Sequence, residues 1–323
     1  MKVLVTGGAG YIGSVVAAQL LQAGHDVVVL DNLSSGHADA VPSGAAFVEG
    51  DIDDAGDVLD TSYHAVLHFA AKSLVGESVA RPQLYWWNNV VGTLRLLDAM
   101  REQGVRSLVF SSTAAAYGEP ETTPIREGTP AAPINPYGQS KLAIDHALAG
   151  EATAHGLAAV SLRYFNVGGA LGRYGERHDP ETHLIPNVLA VPAGRRESVD
   201  VFGTDYPTHD GTAIRDYLHV EDLGRAHLLA LDWTAQTARG QRGEHRVYNL
   251  GTGTGYTVRD VIDAARRVTG HPVPAIERER RPGDPPVLVA SADRIATELG
   301  WHAAHDLDRI VTDAWAFMKG TDA

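Results

Sequence analysis

A glycine-rich segment, TGGAGYIG at residues 6–13, follows a short apolar run and precedes an apolar helical pattern. Its glycines, Gly7, Gly8, Gly10 and Gly13, permit a tight turn and let the backbone come close to a bound group. The helix that follows offers free N–H groups and the positive end of its dipole. Asp31 ends the second apolar run, 18 residues after Gly13. Strand, glycines, helix and distant carboxylate in this order predict a dinucleotide-binding turn.

Apolar runs and helical patterns alternate through the first 165 residues. The apolar runs cover residues 2–6, 26–30, 45–48, 65–69, 107–111 and 158–165, and the helical patterns cover 12–23, 83–104 and 137–155. Nearly continuous apolarity is typical of strands that are buried on both faces of a parallel sheet. We predict a doubly wound parallel α/β (Rossmann) domain in residues 1–166, with a returning strand near 247–250. Residues 167–323 are predicted to form mainly a smaller, interleaved α/β domain that binds substrate.

Composition excludes several classes of protein. The chain has 323 residues, enough for one large domain or two ordinary ones, and its formal charge is 27 − 40 = −13. Such an acidic chain is a poor candidate for binding the phosphate backbone of nucleic acids. Cysteine is absent, which excludes a disulfide scaffold, a thiolate metal site and a cysteine nucleophile. With no run of about 18 apolar residues and no leader pattern at the N-terminus, we expect a soluble cytoplasmic protein without a membrane partner.

Asp31 also indicates which dinucleotide is bound. A carboxylate at this position accepts hydrogen bonds from the adenosine ribose hydroxyls and repels a 2′-phosphate. No lysine or arginine lies between Asn32 and Ala71, so nothing nearby would attract that phosphate. We therefore predict NAD and not NADP. Asp51 and Ile52 follow the third apolar run, where the adenine edge would lie; capping of a loop is the alternative interpretation of Asp51.

Tyr137 and Lys141 form a Tyr-x-x-x-Lys pattern inside PYGQSK. A spacing of four residues places both side chains on one face of a helix. A nearby ammonium favours tyrosinate and lowers the pKa of the phenol, which suits a general base. Thr113 lies just past the fifth apolar run, where ligands bind in open α/β sheets. We predict that Thr113, Tyr137 and Lys141 form a catalytic set; a surface pair on a helix and a turn cap are the alternatives.

These pieces, in this order, resemble the extended short-chain dehydrogenase/reductase family. Further segments are similar to the branch of that family that epimerises UDP-hexoses at carbon 4: VVVLDNLSSG, FVEGDI, FAAKSLVGES, NNVVGTLRLLDAM, FSSTAAAYGEP, LRYFNVGGA, FGTDYPTHDGTAIRDYLHVEDLGRAH and VYNLGTGTG. The resemblance covers most of the chain, from residue 2 to about residue 290. It implies interconversion of UDP-galactose and UDP-glucose through transient oxidation at carbon 4.

The resemblance also assigns site residues. It implies that NAD is bound by Gly7, Gly10, Tyr11, Ile12, Asp31, Asn32, Asp51, Ile52, Phe69, Ala70, Ala71, Asn88, Tyr137, Lys141 and Phe165. It implies that the UDP-sugar is bound by Thr113, Tyr137, Asn166, His183, Phe202, Arg215, Arg281 and Asp284. Guanidinium groups suit a diphosphate, and a carboxylate suits the uridine ribose hydroxyls. The resemblance further implies a homodimer in which the helices near 83–104 and 137–155 form a four-helix bundle; the alternative is that they only cover the sheet.

The chain departs from the family pattern at three positions. Ser73 stands where a lysine often reaches the cofactor, and His183 stands where some relatives have asparagine. Leu288 stands where some members carry a tyrosine near carbon 2 of the sugar, and a smaller residue there suggests room for N-acetylated sugars.

Other functions stay open at this stage. UDP-glucuronate or a UDP-pentose is an alternative substrate, for epimerisation or decarboxylation. A 4,6-dehydratase is disfavoured because Ala114 and Ala115 stand where related dehydratases have an acidic pair, and a non-catalytic NAD sensor is disfavoured by the intact catalytic set. No metal site is predicted, since the histidine pairs His178/His183 and His302/His305 lack carboxylates at clear ligand spacing.

Overall fold

The computed structural model describes residues 1–240, 242–281 and 284–320. The strands of this part of the chain are β1 (Lys2–Thr6), β2 (Asp26–Asp31), β3 (Ala46–Glu49), β4 (Ala65–His68), β5 (Ser107–Thr113), β6 (Ala158–Tyr164), β7 (Asn166–Gly168), β8 (Val199–Phe202), β9 (Ile214–His219), β10 (Glu244–Leu250), β11 (Gly255–Thr257), β12 (Ala275–Arg278) and β13 (Val287–Leu288). The α-helices are α1 (Tyr11–Gln22), α2 (Ala55–Val58), α3 (Val75–Ala80), α4 (Pro82–Tyr85), α5 (Gly92–Glu102), α6 (Pro136–His155), α7 (Leu184–Leu189), α8 (Val220–Thr237), α9 (Val258–Thr269), α10 (Asp293–Leu299) and α11 (Leu307–Gly320).

Seven strands form one parallel sheet in the order β10-β6-β5-β4-β1-β2-β3. This order reverses at β1, as in the doubly wound sheets that bind dinucleotides. The predicted fold class is therefore confirmed. Strand β10, which pairs with β6, occupies the place predicted for the returning strand.

The predicted helix over 83–104 is one helical path with a changed hydrogen-bond pattern. It consists of α4, a π-helical stretch over Trp86–Val91, and α5. Apolar spacing identifies a helical face but does not distinguish an α turn from the wider π turn. The helices predicted over 12–23 and 137–155 correspond to α1 and α6.

Helices cover both faces of the large sheet. On one face, α1 and α8 pack over the strands through side chains such as Val16, Leu20 and Leu223. On the other face, α5 and α6 bury Leu96 and Ile144 among others. Burial on both faces is why the strand sequences are almost continuously apolar.

Later parts of the chain contribute to both halves of the molecule. Helices α8 and α10 pack with the large sheet, while α7, α9 and α11 form a separate core with β8 and β9. In this second half, β9 pairs with β7, β11 and β13, and β8 pairs with β12. We therefore propose that the first domain includes α8 and α10 as well as β10.

The connection between the halves places the site. Strand β6 ends at Tyr164, and β7 begins two residues later against β9. The smaller sheet consequently starts at the carboxyl edge of the large sheet, where β1, β4 and β5 also end. Within the described part of the chain, no helix is both long and apolar enough to cross a membrane.

Candidate active site

The glycine-rich turn is closely packed. Gly7 has φ +73°, and a Cβ there would lie 2.5 Å from the backbone nitrogen of Ala70. A Cβ on Gly13 would lie 2.2 Å from the carbonyl oxygen of Gly7. Gly10 is the N-cap of α1 and offers no side chain to the first N–H groups of the helix. These donors therefore face a cradle without side chains, which fits the pyrophosphate of NAD.

The carboxylate of Asp31 is held in place by backbone N–H groups. Ala9 N–H donates to Oδ2 at 2.9 Å, and Leu33 N–H donates to Oδ1 at 2.8 Å. Asp31 is buried, and each oxygen retains a free acceptor position. The group is thus oriented and able to accept from two ribose hydroxyls.

Around the predicted adenine site, the polar side chains form hydrogen bonds with one another. The Asn32 amide donates to Asp51 at 2.8 Å. Asp51 also caps a short 3₁₀ turn (Ile52–Asp54) through a capping box with Asp54, and Ile52 is buried. The capping role considered for Asp51 is therefore present, and contact of these three residues with NAD stays a prediction.

Helix α6 carries Tyr137 to the end of β5. Asn135 caps the helix, accepting from Gly138 N–H at 2.9 Å, and Pro136 occupies the first turn. A Cβ on Gly138 would lie 2.5 Å from the carbonyl oxygen of Ala115, so glycine allows the helix to lie against the turn after β5. The predicted neighbours Thr113 and Tyr137 are thereby brought together.

Thr113 lies close enough to Tyr137 for its hydroxyl to lower the pKa of the phenol. The hydroxyl of Thr113 accepts from Ala115 N–H at 3.1 Å, so its own proton is free to point at the phenol oxygen. Burial raises the pKa of Tyr137, and the hydrogen bond from Thr113 lowers it in part. Donation from the threonine hydroxyl to the tyrosine oxygen is the direction that favours the phenolate.

Lys141 is almost completely buried below the tyrosine. Its ammonium donates to the carbonyl oxygen of Ser111 at 2.6 Å and lies 4.6 Å from the centre of the Phe110 ring. Burial lowers the pKa of Lys141 to about 7, although the charge of Asp145 opposes this. The expected effect of Lys141 on Tyr137 is not seen in the protein alone, where burial raises the pKa of the phenol. Spacing along a helix places two side chains on one face but does not reveal how deeply both are buried.

Two buried residues beneath this site were missed by the sequence analysis. His68, at the end of β4, lies between Thr6 Oγ1 at 2.7 Å and Thr93 Oγ1 at 2.9 Å. Burial, and then the charge of Lys141, lowers its pKa to about 3. Asn89 bonds both backbone groups of Lys72, at 2.8 and 3.0 Å, and so holds the loop after β4. Asn89 lies in the segment NNVVGTLRLLDAM, but neither residue was assigned a role, because their partners lie on other elements.

The remaining residues predicted for NAD lie around the same edge of the sheet. Phe69, Ala70 and Ala71 follow β4, and Phe165 follows β6. Asn88 donates to Asn89 at 3.0 Å, and the Tyr11 hydroxyl donates to the carbonyl oxygen of Gly169 at 2.7 Å. Ser73, the departing position, is exposed in the loop after β4. Their contacts with the cofactor stay predictions.

Four of the residues predicted for the UDP-sugar form two pairs in the smaller half of the molecule. The guanidinium of Arg215, on β9, makes an ion pair with Asp284. That of Arg281 lies 4.1 Å from the centre of the Phe202 ring, at the end of β8. Asn166 begins β7, which pairs with β9. These pairs bring together side chains that are up to 79 residues apart in the sequence.

Leu288 lies close to the catalytic end of this surface. It is opposite Arg215 in the β9–β13 register. It also packs against the small cluster that contains Phe165 and Ala114, directly after Thr113. Its place is therefore between the guanidinium and the catalytic hydroxyls.

His183 stands apart from these pairs, in a group of four side chains before α7. Its Nδ1 lies 2.7 Å from Glu176 and 2.9 Å from Glu181, and His178 Nδ1 lies 2.8 Å from Glu176. The sequence showed no carboxylates at clear ligand spacing for this histidine pair, but the loop folds back on itself and places Glu176 and Glu181 against it. Burial alone would lower the pKa of His183, but the two glutamates raise it to about 10.

Comparison with known proteins agrees with this geometry. Residues 3–251 match the NAD dependent epimerase/dehydratase family. A UDP-glucose 4-epimerase of Corynebacterium glutamicum is 55% identical, over 99% of this chain and 96% of that protein. A crystal structure of UDP-glucose 4-epimerase from Brucella ovis in complex with NAD has a TM-score of 0.93 at 48% identity, with 98% of each chain covered. That of Bifidobacterium longum in complex with NAD⁺ and UDP has a TM-score of 0.91 at 36% identity, covering 100% of this chain and 99% of that one. The chain belongs to the NAD-dependent epimerase/dehydratase family, within its UDP-glucose 4-epimerase group.

Proposed function

We propose that this chain is an NAD-dependent isomerase that interconverts UDP-galactose and UDP-glucose by transient oxidation at carbon 4 of the sugar. The observation that carries the proposal is that Thr113 and Tyr137 lie close together at the edge of the sheet where the glycine-rich turn also lies. Oxidation of a sugar alcohol requires a proton acceptor and a dinucleotide that accepts hydride, and both sites lie at one edge of the same sheet.

The residues around β1 and β2 fit NAD. The backbone donors at Gly10 would hold the pyrophosphate, and Asp31 would hold the adenosine ribose. When bound, NAD would supply the hydride acceptor and donor for transient oxidation at carbon 4 of the sugar. Lys141 would contact the nicotinamide ribose.

Tyr137 and Thr113 handle the proton. The phenol oxygen of Tyr137 removes the proton from the 4-hydroxyl of the sugar and later returns it. Thr113 donates to that oxygen and so favours its anionic form. Because Thr113 is itself held by Ala115 N–H, the donor is oriented before substrate binds.

The two guanidinium groups are suited to hold the other end of the substrate. Arg215 and Arg281 match the charge of the diphosphate, and Asp284 matches the uridine ribose hydroxyls. With the nucleotide anchored there, the oxidised sugar can turn over and present its other face. Inversion at carbon 4 follows from this rotation.

Neighbours of Thr113 bear on the alternative of dehydration. Ala114 and Ala115 form the first turn of a 3₁₀ helix (Ala114–Tyr117) and carry no acid or base. The side chain after Thr113 therefore cannot protonate a leaving hydroxyl. This supports epimerisation over elimination of water.

Proton NMR of UDP-galactose with the purified protein tests the proposal. We expect UDP-glucose to appear without added NAD, because a cofactor regenerated in each turnover needs no exchange. The Tyr137→Phe variant is the matched control and should leave UDP-galactose unchanged. If the wild-type protein converts UDP-glucuronate or a UDP-pentose but not UDP-galactose, the substrate is wrong and the catalytic assignment stands.

Leu288 supports a broader substrate range. We expect turnover of UDP-N-acetylgalactosamine by the wild-type protein, because leucine leaves more room near the catalytic hydroxyls than tyrosine does. Leu288→Tyr should lower that turnover at least tenfold while UDP-galactose is still converted. Equal losses for both sugars, or no turnover of the N-acetylated sugar by the wild type, would contradict this role.

We further propose a homodimer and a cytoplasmic location. Support for the dimer comes from an apolar surface on the segment from α3 to α5, where Trp86 and Trp87 are 41% and 66% exposed. Large apolar patches on a monomer are rare, and a second copy of this segment would cover them. The location stays a prediction from the sequence, which cell fractionation would check.

A further inference from the structure

Two glutamates and two histidines of one loop converge at a single point. Glu176, His178, Glu181 and His183 lie between β7 and α7, and one ligand atom of each lies within 4.8 Å of the others. Both histidines turn the same atom, Nδ1, toward the same oxygen of Glu176, at 2.8 and 2.7 Å. An oxygen of Glu181 also lies 2.9 Å from His183 Nδ1. We call these four residues the loop cluster.

The loop cluster is partly enclosed and has an open side. The side chain of Glu176 is 8% exposed and that of Glu181 is 22% exposed, whereas that of His183 is 45% exposed. An ion could therefore enter past His183 and meet carboxylate oxygens beneath it. A metal-bound imidazole is neutral, so the four groups would carry a charge of −2 once the ion has displaced the proton of His183, and a divalent cation would balance that charge.

The nearest arginine in the loop does not neutralise this charge. Arg177 makes a bidentate pair with Asp39, at 3.0 and 2.8 Å, and so has its carboxylate partner outside the loop cluster. The ion-pair partners that these contacts give the two glutamates are therefore the histidines of the loop cluster.

We propose that the loop cluster binds one divalent transition-metal ion of the zinc class. Two imidazole nitrogens and two carboxylate oxygens form a donor set that suits Zn²⁺, with bonds of about 2.0–2.2 Å and four-coordinate geometry. Mg²⁺ and Ca²⁺ prefer oxygen ligands alone and would bind more weakly. In a tetrahedral site the ligand atoms lie about 3.3 Å apart, so the close pairs would open by about half an ångström.

The ion would brace the contact between the two halves of the molecule. The segment that leads into the loop cluster touches the first domain through the Tyr11 hydroxyl, which donates to Gly169. The guanidinium of Arg177 pairs with Asp39, and the carbonyl oxygen of Arg177 lies 3.3 Å from His37 Nε2. A metal that joins the loop's four side chains would therefore rigidify the loop that contacts the dinucleotide domain. Its role is structural and separate from the proton transfer at Tyr137.

Isothermal titration of tag-free, chelator-treated protein with ZnCl₂ tests the proposal. We expect one Zn²⁺ per chain, retained through dialysis, and a higher Tm in its presence. Glu176→Gln and His178→Ala should each weaken binding about 100-fold or more, as expected for loss of a ligand. Bound Co²⁺ should show the visible ligand-field bands of a four-coordinate ion, and these bands should disappear in both variants.

Two control variants decide where any ion binds. His155→Ala removes an exposed histidine on α6 and should leave Zn²⁺ binding unchanged. His305→Ala tests a second group of His219, Glu221 and His305. In that group both ring nitrogens of His219 already have partners, Glu221 N–H and Asp313, at 3.0 and 3.1 Å. No binding to the wild type, equal binding by His178→Ala, or loss of binding only in His305→Ala would each overturn the proposal.

Discussion

Thr113 shows how one hydroxyl sets the direction of proton transfer. Its oxygen accepts from Ala115 N–H, and its own hydrogen is available for donation to Tyr137. The same hydrogen bond opposes the effect of burial on the phenol's pKa. Serine would keep both hydrogen bonds, whereas alanine would keep neither.

We predict that Thr113→Ala moves the rising limb of the pH–rate profile to higher pH. Tyr137 must be deprotonated to act as a base, so activity rises with pH through its pKa. Loss of the hydrogen bond removes an interaction that lowers this pKa, and the limb moves up. At neutral pH, kcat should fall about 10²-fold, a typical effect for disturbed acid–base catalysis.

Thr113→Ser is the matched control, and its profile should overlay that of the wild type. Progress curves from proton NMR between pH 6 and 10 provide the measurement. A uniform loss of activity without a shift of the limb would mean that Thr113 only positions the sugar.

At the scale of elements, the glycine-rich turn depends on contacts between backbone segments. Gly13 lies within α1, and its Cα faces the carbonyl group of Gly7. Any side chain there would force the turn and the helix apart. The turn therefore holds its shape through an interaction that only glycine permits.

We predict that Gly13→Ala lowers NAD retention at least tenfold and destabilises the fold. The added Cβ would lie 2.2 Å from a backbone oxygen, which cannot move without opening the cradle. Gly24→Ala is the control. Gly24 also lies in a turn and has φ +81°, but a Cβ there would meet open space. It should cost about 1–2 kcal/mol of stability from backbone strain and leave NAD content unchanged. NAD released from denatured protein gives the occupancy; full occupancy in Gly13→Ala would contradict the cradle.

Sequence patterns predicted the elements better than the contacts between them. Apolar runs identified the strands of the large sheet because both faces of each strand are buried. The link between Asn89 and the loop at Lys72 was missed because it joins residues 17 positions apart. His68 was missed for the same reason, since its partners Thr6 and Thr93 lie on other elements. Burial and pairing of polar groups are properties of the assembled layers and leave no local pattern.

At the scale of the whole molecule, two buried histidines link stability to pH. His227 Nδ1–H donates to Leu223 O at 2.9 Å, so Nε2 accepts from the Tyr164 hydroxyl at 2.6 Å. Thr93 donates to Asn89 O, which makes it an acceptor toward His68. Both imidazoles are therefore satisfied in the neutral form. Burial lowers the pKa of His227 to about 4 and that of His68 to about 3.

We predict a loss of stability as the pH falls from 6.5 to 4. In this window the unfolded chain binds protons at both histidines and the folded chain does not, so the free energy of unfolding falls. Each histidine contributes up to about 1.4 kcal/mol per pH unit. His227→Gln should reduce this slope by about that amount, while the slopes of the two proteins coincide above pH 7. Urea unfolding at a series of pH values measures it; identical slopes between pH 4 and 6 would show that His227 is protonated in the folded protein.

The apolar surface between α3 and α5 belongs to the same scale, because it concerns how copies of the molecule meet. Five exposed large apolar residues occur within 20 positions: Val75, Val79, Trp86, Trp87 and Leu94. In water this surface is unfavourable by about 25 cal/mol for each Å² that a partner would cover.

Trp87→Glu places a charge at the most exposed residue of this surface and should convert a dimer of twice 34.4 kDa to a monomer. Ile276→Glu, a change at a 42% exposed residue of β12, is the control and should leave the dimer intact. Light scattering after gel filtration gives both masses; a wild-type mass of one chain would contradict the dimer, and dissociation of both variants would place the contact elsewhere.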